Sequence, residues 1–458
     1  MTKIGSIENQ SKKYGNDFLI FLLITIFFIY EKNYILISSI FVTFILVRFI
    51  KNFSKEIPII ELLLLFAGIQ SLLIPSLQDY LRFPWYQKLS ISLDRYFEIA
   101  IPGIFSLAFG ALLPIFNKRE ICNRIFFDLN NTNYGNLGIT MISLGIIARL
   151  LHNFLGSISV LGPIITPLGN LVFIGSIYIY YSHNKYKNII LLTIITFTLI
   201  LNIIGGLFWE FFIWTMFVLM LISSQWKTSY LFKTVVTIIA IISILLIQSV
   251  KIQYRNLTWK GERFSQFEKV MLFSKLIYES GEEIVTDFNM RNLVLPLTDR
   301  MNQGKLDAYV FSNIPLNKNF ANGRTIVNSF LGAFIPRIFW RDKPGYDTRK
   351  LAELGGYKTL GNSFLSLSPL GETYGNFGTF IGSCFLFFYG FLINYLHYII
   401  IRTAKSKKYI LLFSPLLFYN IIRFEVDFTH VFSGFFTGLI SIFVILLILE
   451  YIFNITLD

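Results

Sequence analysis

Charge is what this sequence has least of. Only 15% of its 458 residues are Asp, Glu, Lys or Arg, where a soluble domain carries closer to about a quarter. That shortage, beside 54% hydrophobic residues, excludes a soluble fold of this length. Cysteine is nearly absent as well. Cys122 falls in an expected cytoplasmic loop and Cys384 inside an expected membrane helix, so no disulfide pairing is expected, and no Cys/His spacing suits a metal. A cleavable leader is not expected either, because the first apolar stretch, Asp17 to Tyr30, runs into Glu31-Lys32-Asn33 rather than a small-residue cleavage site.

Long apolar runs are there instead. They come at the length of about 17–25 residues that crosses the hydrocarbon core as a helix. Twelve spans account for the pattern, near 17–31, 34–50, 57–77, 91–116, 135–155, 158–181, 188–204, 207–223, 231–250, 373–401, 409–424 and 429–453. The pair at 188–223 turns tightly at Gly205-Gly206. The expected fold is therefore all-α and polytopic.

The formal charge of +13 belongs to topology rather than to nucleic acid, since no soluble basic domain or recognition motif is present. With the N-terminus inside, basic clusters fall on alternate loops: Lys3, Lys12 and Lys13; Arg48, Lys51 and Lys55; Lys118, Arg119 and Arg124; Lys185 and Lys187; Lys227 and Lys233; Arg402, Lys405, Lys407 and Lys408. The opposite short loops hold only Lys32, Arg82, Lys88 and Arg423. The positive-inside rule then places both termini in the cytoplasm of a bacterial inner membrane.

This orientation divides the chain into membrane domain 1–250, a large external segment 251–372, and membrane domain 373–458. So long a connector is expected to carry function. Two stretches in it read as short interfacial helices. One is 264–280, with Phe264, Phe267, Met271 and Tyr278 at helical spacing; the other is 326–340, rich in Ile, Phe and Leu and ending in Phe339-Trp340.

The segment also carries Arg255, Arg263, Arg291, Arg300, Arg324, Arg337, Arg341 and Arg349. The planar guanidinium fork matches phosphate and pyrophosphate oxygens and keeps its charge at a membrane surface; solvated loop arginines and headgroup anchors are the plainer alternative. In Ile335-Pro336-Arg337-Ile338-Phe339-Trp340-Arg341-Asp342-Lys343-Pro344, Arg337 and Lys343 are candidates to clamp a diphosphate, with Asp342 positioning one of them. An aromatic anchor flanked by snorkelling bases is the other reading.

Downstream, Ser368-Pro369-Leu370-Gly371-Glu372-Thr373-Tyr374-Gly375-Asn376-Phe377-Gly378 leads toward Gly382. As one helix, Gly371, Gly375, Gly378 and Gly382 form a smooth face for a neighbouring helix, beside a polar stripe that includes Glu372 and Asn376. A carboxylate at the mouth of a membrane helix is costly and usually has a partner or a task. Other ionisable groups at the same side are Asp94, Arg95 and Glu98; Arg149 and His152; Arg423 and Glu425; and Asp427 and His430. All are candidates to line one cavity, each equally readable as a structural ion pair.

These residues resemble the O-antigen polymerase family, the oligosaccharide repeat-unit polymerases of bacterial envelopes. The resemblance lies in Asp299-Arg300-Met301-Asn302-Gln303-Gly304, Ile314-Pro315, Asn322-Gly323-Arg324-Thr325, the Ile-Pro-Arg…Trp…Asp-Lys-Pro run and the Gly-Glu-x-Tyr-x-Asn-x-Gly helix start, all within 299–382. One departure is Arg341, where the family usually has proline after the tryptophan. The resemblance implies transfer of a glycan from undecaprenyl pyrophosphate to a sugar hydroxyl on the next lipid-linked unit. It casts Glu372 as the base and Arg300, Arg337 and Arg324 as holders of the donor pyrophosphate. Arg341, Lys343, Arg149, His152, Arg423, Tyr374 and Asn376 are the further candidates for substrate binding. No cofactor or metal is implied; the partners are the lipid-linked oligosaccharides, membrane lipid, a chain-length regulator and a flippase. An O-antigen ligase uses the same donor but usually presents a histidine in its large outer loop, and 251–372 has none. A transporter would show paired broken helices, and Pro163 and Pro167 have no counterpart in the second half.

Overall fold

The structure, a computed structural model, describes residues 32–116, 118–130, 135–155, 162–206, 208–225, 229–260, 264–286, 295–298, 301–335, 337–345, 348–357 and 365–454. Among these residues it is helical throughout, without a strand. The first half holds α1 (Tyr34–Asn52), α2 (Ile59–Ser76), α3 (Leu93–Leu112), α4 (Lys118–Asn130), α5 (Gly135–Leu155), α6 (Gly162–Gly169), α7 (Leu171–Tyr181), α8 (Lys187–Gly205) and α9 (Phe208–Ile222). The second half holds α10 (Tyr230–Lys260), α11 (Gln266–Thr286), α12 (Gln303–Asn313), α13 (Arg324–Phe334), α14 (Arg349–Gly355), α15 (Pro369–Ala404), α16 (Tyr409–Ile422) and α17 (Phe428–Tyr451). Nine helices among the described residues are long and apolar enough to cross a membrane. The protein is an all-α polytopic membrane protein.

Each expected span from 34–50 onward coincides with a helix or, at 158–181, with the pair α6 and α7; the expected span at 17–31 lies outside the described residues. The tight turn after α8 is present. Gly206 caps that helix at φ 65°, and Arg255 of α10 donates two hydrogen bonds to its carbonyl, at 2.9 and 2.6 Å. Arg255 therefore closes a helix turn. Cys122 is buried in α4, a helix where only a loop was expected, and Cys384 lies exposed on α15.

The boundaries drawn at 250/251 and 372/373 both fall inside helices, α10 and α15. Beyond the first boundary α11 folds back on α10, with Phe273 and Leu276 buried against Ile203, Val250 and Tyr254. The apolar face expected at the membrane interface, Phe267, Met271 and Tyr278, is exposed. It lies on a different side of a helix of 3.6 residues per turn from Phe273 and Leu276, which pack against the protein. α13 lies along the start of α17, its Phe330 and Phe334 rings 5.5 and 4.0 Å from those of Phe432 and Phe436.

α15 is not one straight helix. It starts with Ser368, whose hydroxyl accepts the Gly371 N–H, and with Pro369 at its first position. At Gly378 the backbone takes φ 71°, ψ −169° and the chain reverses. A Cβ on Gly382 would stand 3.4 Å from the Thr373 carbonyl, and Leu370 and Leu386 both reach Gly103, halfway along α3. Residues 369–377 thus climb from mid-height to the bend, and the rest of α15 descends beside them. The evenly spaced glycines consequently serve no single face: Gly371 meets Asp307, Gly375 meets Leu354 and Val310, and Gly378 meets Phe320.

Gly378 sits where essentially only glycine is at ease, and an added Cβ would crowd the Phe320 ring at 3.2 Å. Gly378→Ala is expected to destabilise the protein by about 1–3 kcal/mol, measured by thermal unfolding in detergent; an unchanged midpoint would mean the bend relaxes without cost.

Candidate functional site

α16 has 14 residues, about 21 Å of helix at ~1.5 Å per residue, shorter than a bilayer core. The chain that follows, 423–427, is consequently held within the bundle. Its far end starts α17 at Phe428, whose ring packs 5.6 Å from Phe385 and 5.1 Å from Tyr389, well below the bend in α15. Irregular backbone at such depth survives only where protein satisfies it. Here Asp427 caps α17, its Oδ1 accepting the Thr429 and His430 N–H groups at 2.9 and 3.2 Å.

Beside this loop stands Glu372, fully buried. Its Oε1 accepts from Lys350 Nζ at 2.7 Å and Thr325 Oγ1 at 2.8 Å; its Oε2 accepts the Phe428 N–H at 3.0 Å. Lys350 also donates to Ser329 Oγ at 2.7 Å and stands 3.6 Å from Asp427 Oδ1. Four separate elements, α13, α14, α15 and the start of α17, are thus joined through one ammonium and two carboxylates. Both oxygens of Glu372 thus already accept hydrogen bonds from protein donors, which ties its carboxylate into the cluster.

His430 stands at the edge of this cluster. Its Nδ1 lies 3.0 Å from Asp427 Oδ1, with the side chain 19% exposed. A carboxylate at Nδ1 favours the tautomer whose Nε2 accepts a proton. Asp427 is buried between Lys350, whose Nζ lies 3.6 Å from its Oδ1, and His430. Two buried acceptors in the cluster, Asp427 Oδ2 and Asn376 Oδ1, have no hydrogen-bond donor among the described residues, and each calls for a water, an ion or a ligand to satisfy it.

The loop's other end makes a second polar group. Arg423 Nε donates to Glu425 Oε1 at 3.0 Å, Trp209 Nε1 donates to the same oxygen at 2.8 Å, and Gln70 Nε2 reaches Glu425 Oε2 at 3.2 Å. Gln70 lies in a π-turn, Ile69–Leu73, inside α2, a distortion often found at functional sites. A third group stands behind residues 366–368, where Asp307 of α12 accepts the Ser368 hydroxyl at 2.7 Å and Gln303 Nε2 donates to the Ser366 carbonyl at 2.9 Å.

The remaining candidates distribute as follows. Asn376 belongs to the cluster, donating to Thr325 Oγ1 at 2.7 Å. Tyr374 is buried and donates to the Ile314 carbonyl at 3.0 Å, a packing role. Arg324 is exposed and ion-paired with Glu353. Arg337 and Arg341 are exposed on the turn after α13, and Lys343 is half-buried close to Gly332. Burial, then the charge of Arg337, lowers the pKa of Lys343, as fits two cations held near each other. This basic turn follows the end of α13, which lies ~14 Å of helix beyond Thr325. Arg149 is not in the cluster; it donates to the Gly169 carbonyl at 2.9 Å and stacks over Phe173, and Glu210 lies within electrostatic reach of both it and Arg423. His152 is exposed on α5. Asp94 pairs with Lys32, and Arg95 with Glu98, at the surface. Arg300 lies outside the described residues.

Lys350, Ser329, Asp307 and Gln70 carry no signal in the sequence that sets them apart. Thr325 does, since it closes the Asn-Gly-Arg-Thr motif. No family model matches the chain, and no curated protein or solved structure matches it either.

Burial raises Asp307 from an aspartate's usual 3.8 to about 7, against the lowering effect of its bonds from Ser368. The folded state therefore holds this proton more tightly than the unfolded chain does. The stability that this proton contributes is fully present below about pH 4 and is lost as pH rises through about 7. Thermal midpoints from pH 5 to 8 should fall less steeply in Asp307→Asn than in the unmodified protein; equal slopes would show that Asp307 ionises without cost.

Proposed function

We propose that this protein is a polymerase of lipid-linked oligosaccharide repeat units, acting on the outer side of a bacterial inner membrane. In this reading it has twelve spans and cytoplasmic termini. The Glu372 cluster opens to the periplasm, and α11 to α14 form the external segment with its interfacial helices. The observation that carries the reading is the recessed Lys350–Glu372–Asp427–His430 cluster lying along one short helix from an exposed turn of two arginines and a lysine. A lipid-linked pyrophosphate donor needs this combination: cations at the membrane surface for the leaving group, and a base held out of bulk water.

The chemistry follows. A hydroxyl oxygen of the acceptor sugar attacks the anomeric carbon of the donor glycan. A new C–O bond forms as the bond to pyrophosphate breaks, and the pyrophosphate leaves on its polyprenyl chain. Arg337, Arg341 and Lys343, with Arg324 and Arg300, neutralise the charge it gains. His430 takes the hydroxyl proton, its imidazole oriented by Asp427. Glu372 holds Lys350 and the head of α17 in place, and Asn376 and Asp427 offer acceptor oxygens to sugar hydroxyls.

The test is surface glycan resolved by gel from a strain lacking the gene and from complemented strains. Loss of the gene should leave a single repeat unit on the lipid core. The unmodified gene should restore long chains, and His430→Ala, present at equal level in the membrane, should restore less than about a hundredth of them, the scale of a lost general base. Long chains that persist on the polyprenyl carrier but never reach the core would mean a ligase. An unchanged ladder would sink the reading.

A further inference from the structure

α15 descends from the bend at Gly378 through Asn394 and His397, about 27 Å at ~1.5 Å per residue, the thickness of a bilayer core. At its lower end is a second polar site, unconnected with the Glu372 cluster. A cavity of about 210 Å³ opens where the end of α1, the start of α2, the end of α3 and the start of α4 meet α15. Seven liquid waters would fill that space at ~30 Å³ each, so it has room for a tetrahedral oxyanion.

Its lining is charged and unequal in sign. Arg48, Lys118 and Arg119 supply three cations, against the carboxylates Glu56 and Glu61. Glu61 is already engaged, accepting from Asn52 Nδ2 at 2.7 Å with Arg48 at 3.7 Å. Burial and then the neighbouring Glu61 push Glu56 up to about 7, so near neutral pH it is protonated part of the time and the cavity's positive excess grows. His397 adds the pointer to a ligand. Lys118 Nζ, which can only donate, stands 3.3 Å from its Nδ1 and 2.8 Å from Asn394 Oδ1. Nδ1 must accept, which puts the proton on Nε2. That Nε2–H lies on a residue 3% exposed and has no acceptor among the described residues.

We propose that this cavity binds a phosphate group, held by Arg48, Lys118 and Arg119 with the Nε2–H of His397 as a fourth donor. Three cations and a neutral N–H converging on one small space fit the oxygens of a phosphate mono- or diester. The source is either a phospholipid headgroup, since the site lies at one end of a membrane-length helix, or a free phosphate.

The experiment uses the full-length protein, delipidated in detergent. Its thermal midpoint is followed against inorganic phosphate, with chloride at matched ionic strength as control, and separately against phosphatidylglycerol, with diacylglycerol as control. A saturable rise with phosphate identifies a soluble ligand, and a rise with phosphatidylglycerol alone identifies a headgroup. Either supports the site if Lys118→Gln or Arg119→Gln weakens the half-saturation concentration at least tenfold. Arg119→Gln keeps the bonds of Lys118 to Asn394 and His397, so it reports binding even where Lys118→Gln fails to fold. No rise with either probe, a rise matched by the controls, or the same half-saturation in the unmodified protein and Arg119→Gln would overturn the proposal.

Discussion

Lys350 carries its charge into a place that water hardly reaches, with its side chain only 10% exposed, and Glu372 meets it there at 2.7 Å. Neither charge is affordable without the other, because an ion moved from water into a low-dielectric interior loses several kcal/mol of solvation even after relaxation. Around that pair the connections are short and specific. Thr325 and Ser329 bring α13, the Phe428 N–H brings the start of α17, and Asp427 shares the lysine from its other side. Through this point α13 and α14 are tied to the starts of α15 and α17.

Backbone geometry makes the pair possible. A straight α15 would carry its first turn up and away from the bundle, but the reversal at Gly378 turns Glu372 back down beside α3. The shortness of α16 supplies the matching half, since it leaves Arg423, Glu425 and Asp427 at a depth where they need protein partners. The two irregularities satisfy each other. The result is a polar floor inside the bundle, with Arg423–Glu425 on one side of the 423–427 loop and Asp427–His430 on the other.

The spans were legible in the sequence because their signal is summed over about twenty residues and depends on composition alone. The bend in α15 was not, because Gly371, Gly375, Gly378 and Gly382 suit a helical face as well as they suit a turn, and only the φ of Gly378 distinguishes the two. Glu372, Asp427 and His430 stood out as ionisable residues beside apolar runs. Lys350 did not: in Arg349-Lys350-Leu351-Ala352-Glu353 it reads like any surface cation, and its burial is decided by helices distant in sequence. The clustering of arginines was legible, but their roles were not. Among the described residues Arg255 closes a turn, Arg324 pairs with Glu353, and Arg337 and Arg341 lie on the exposed turn beside Lys343.

The central claim is that the buried Lys350–Glu372 pair organises this end of the molecule. A double-mutant cycle on Lys350→Met and Glu372→Gln, read by unfolding in detergent, tests it directly. Each single change should cost about 3–5 kcal/mol by stranding a buried polar partner, and the double variant should recover about 2–3 kcal/mol of the summed loss, an interaction term of the size found for residues in direct contact. Losses that simply add, within about 0.5 kcal/mol, would contradict the account.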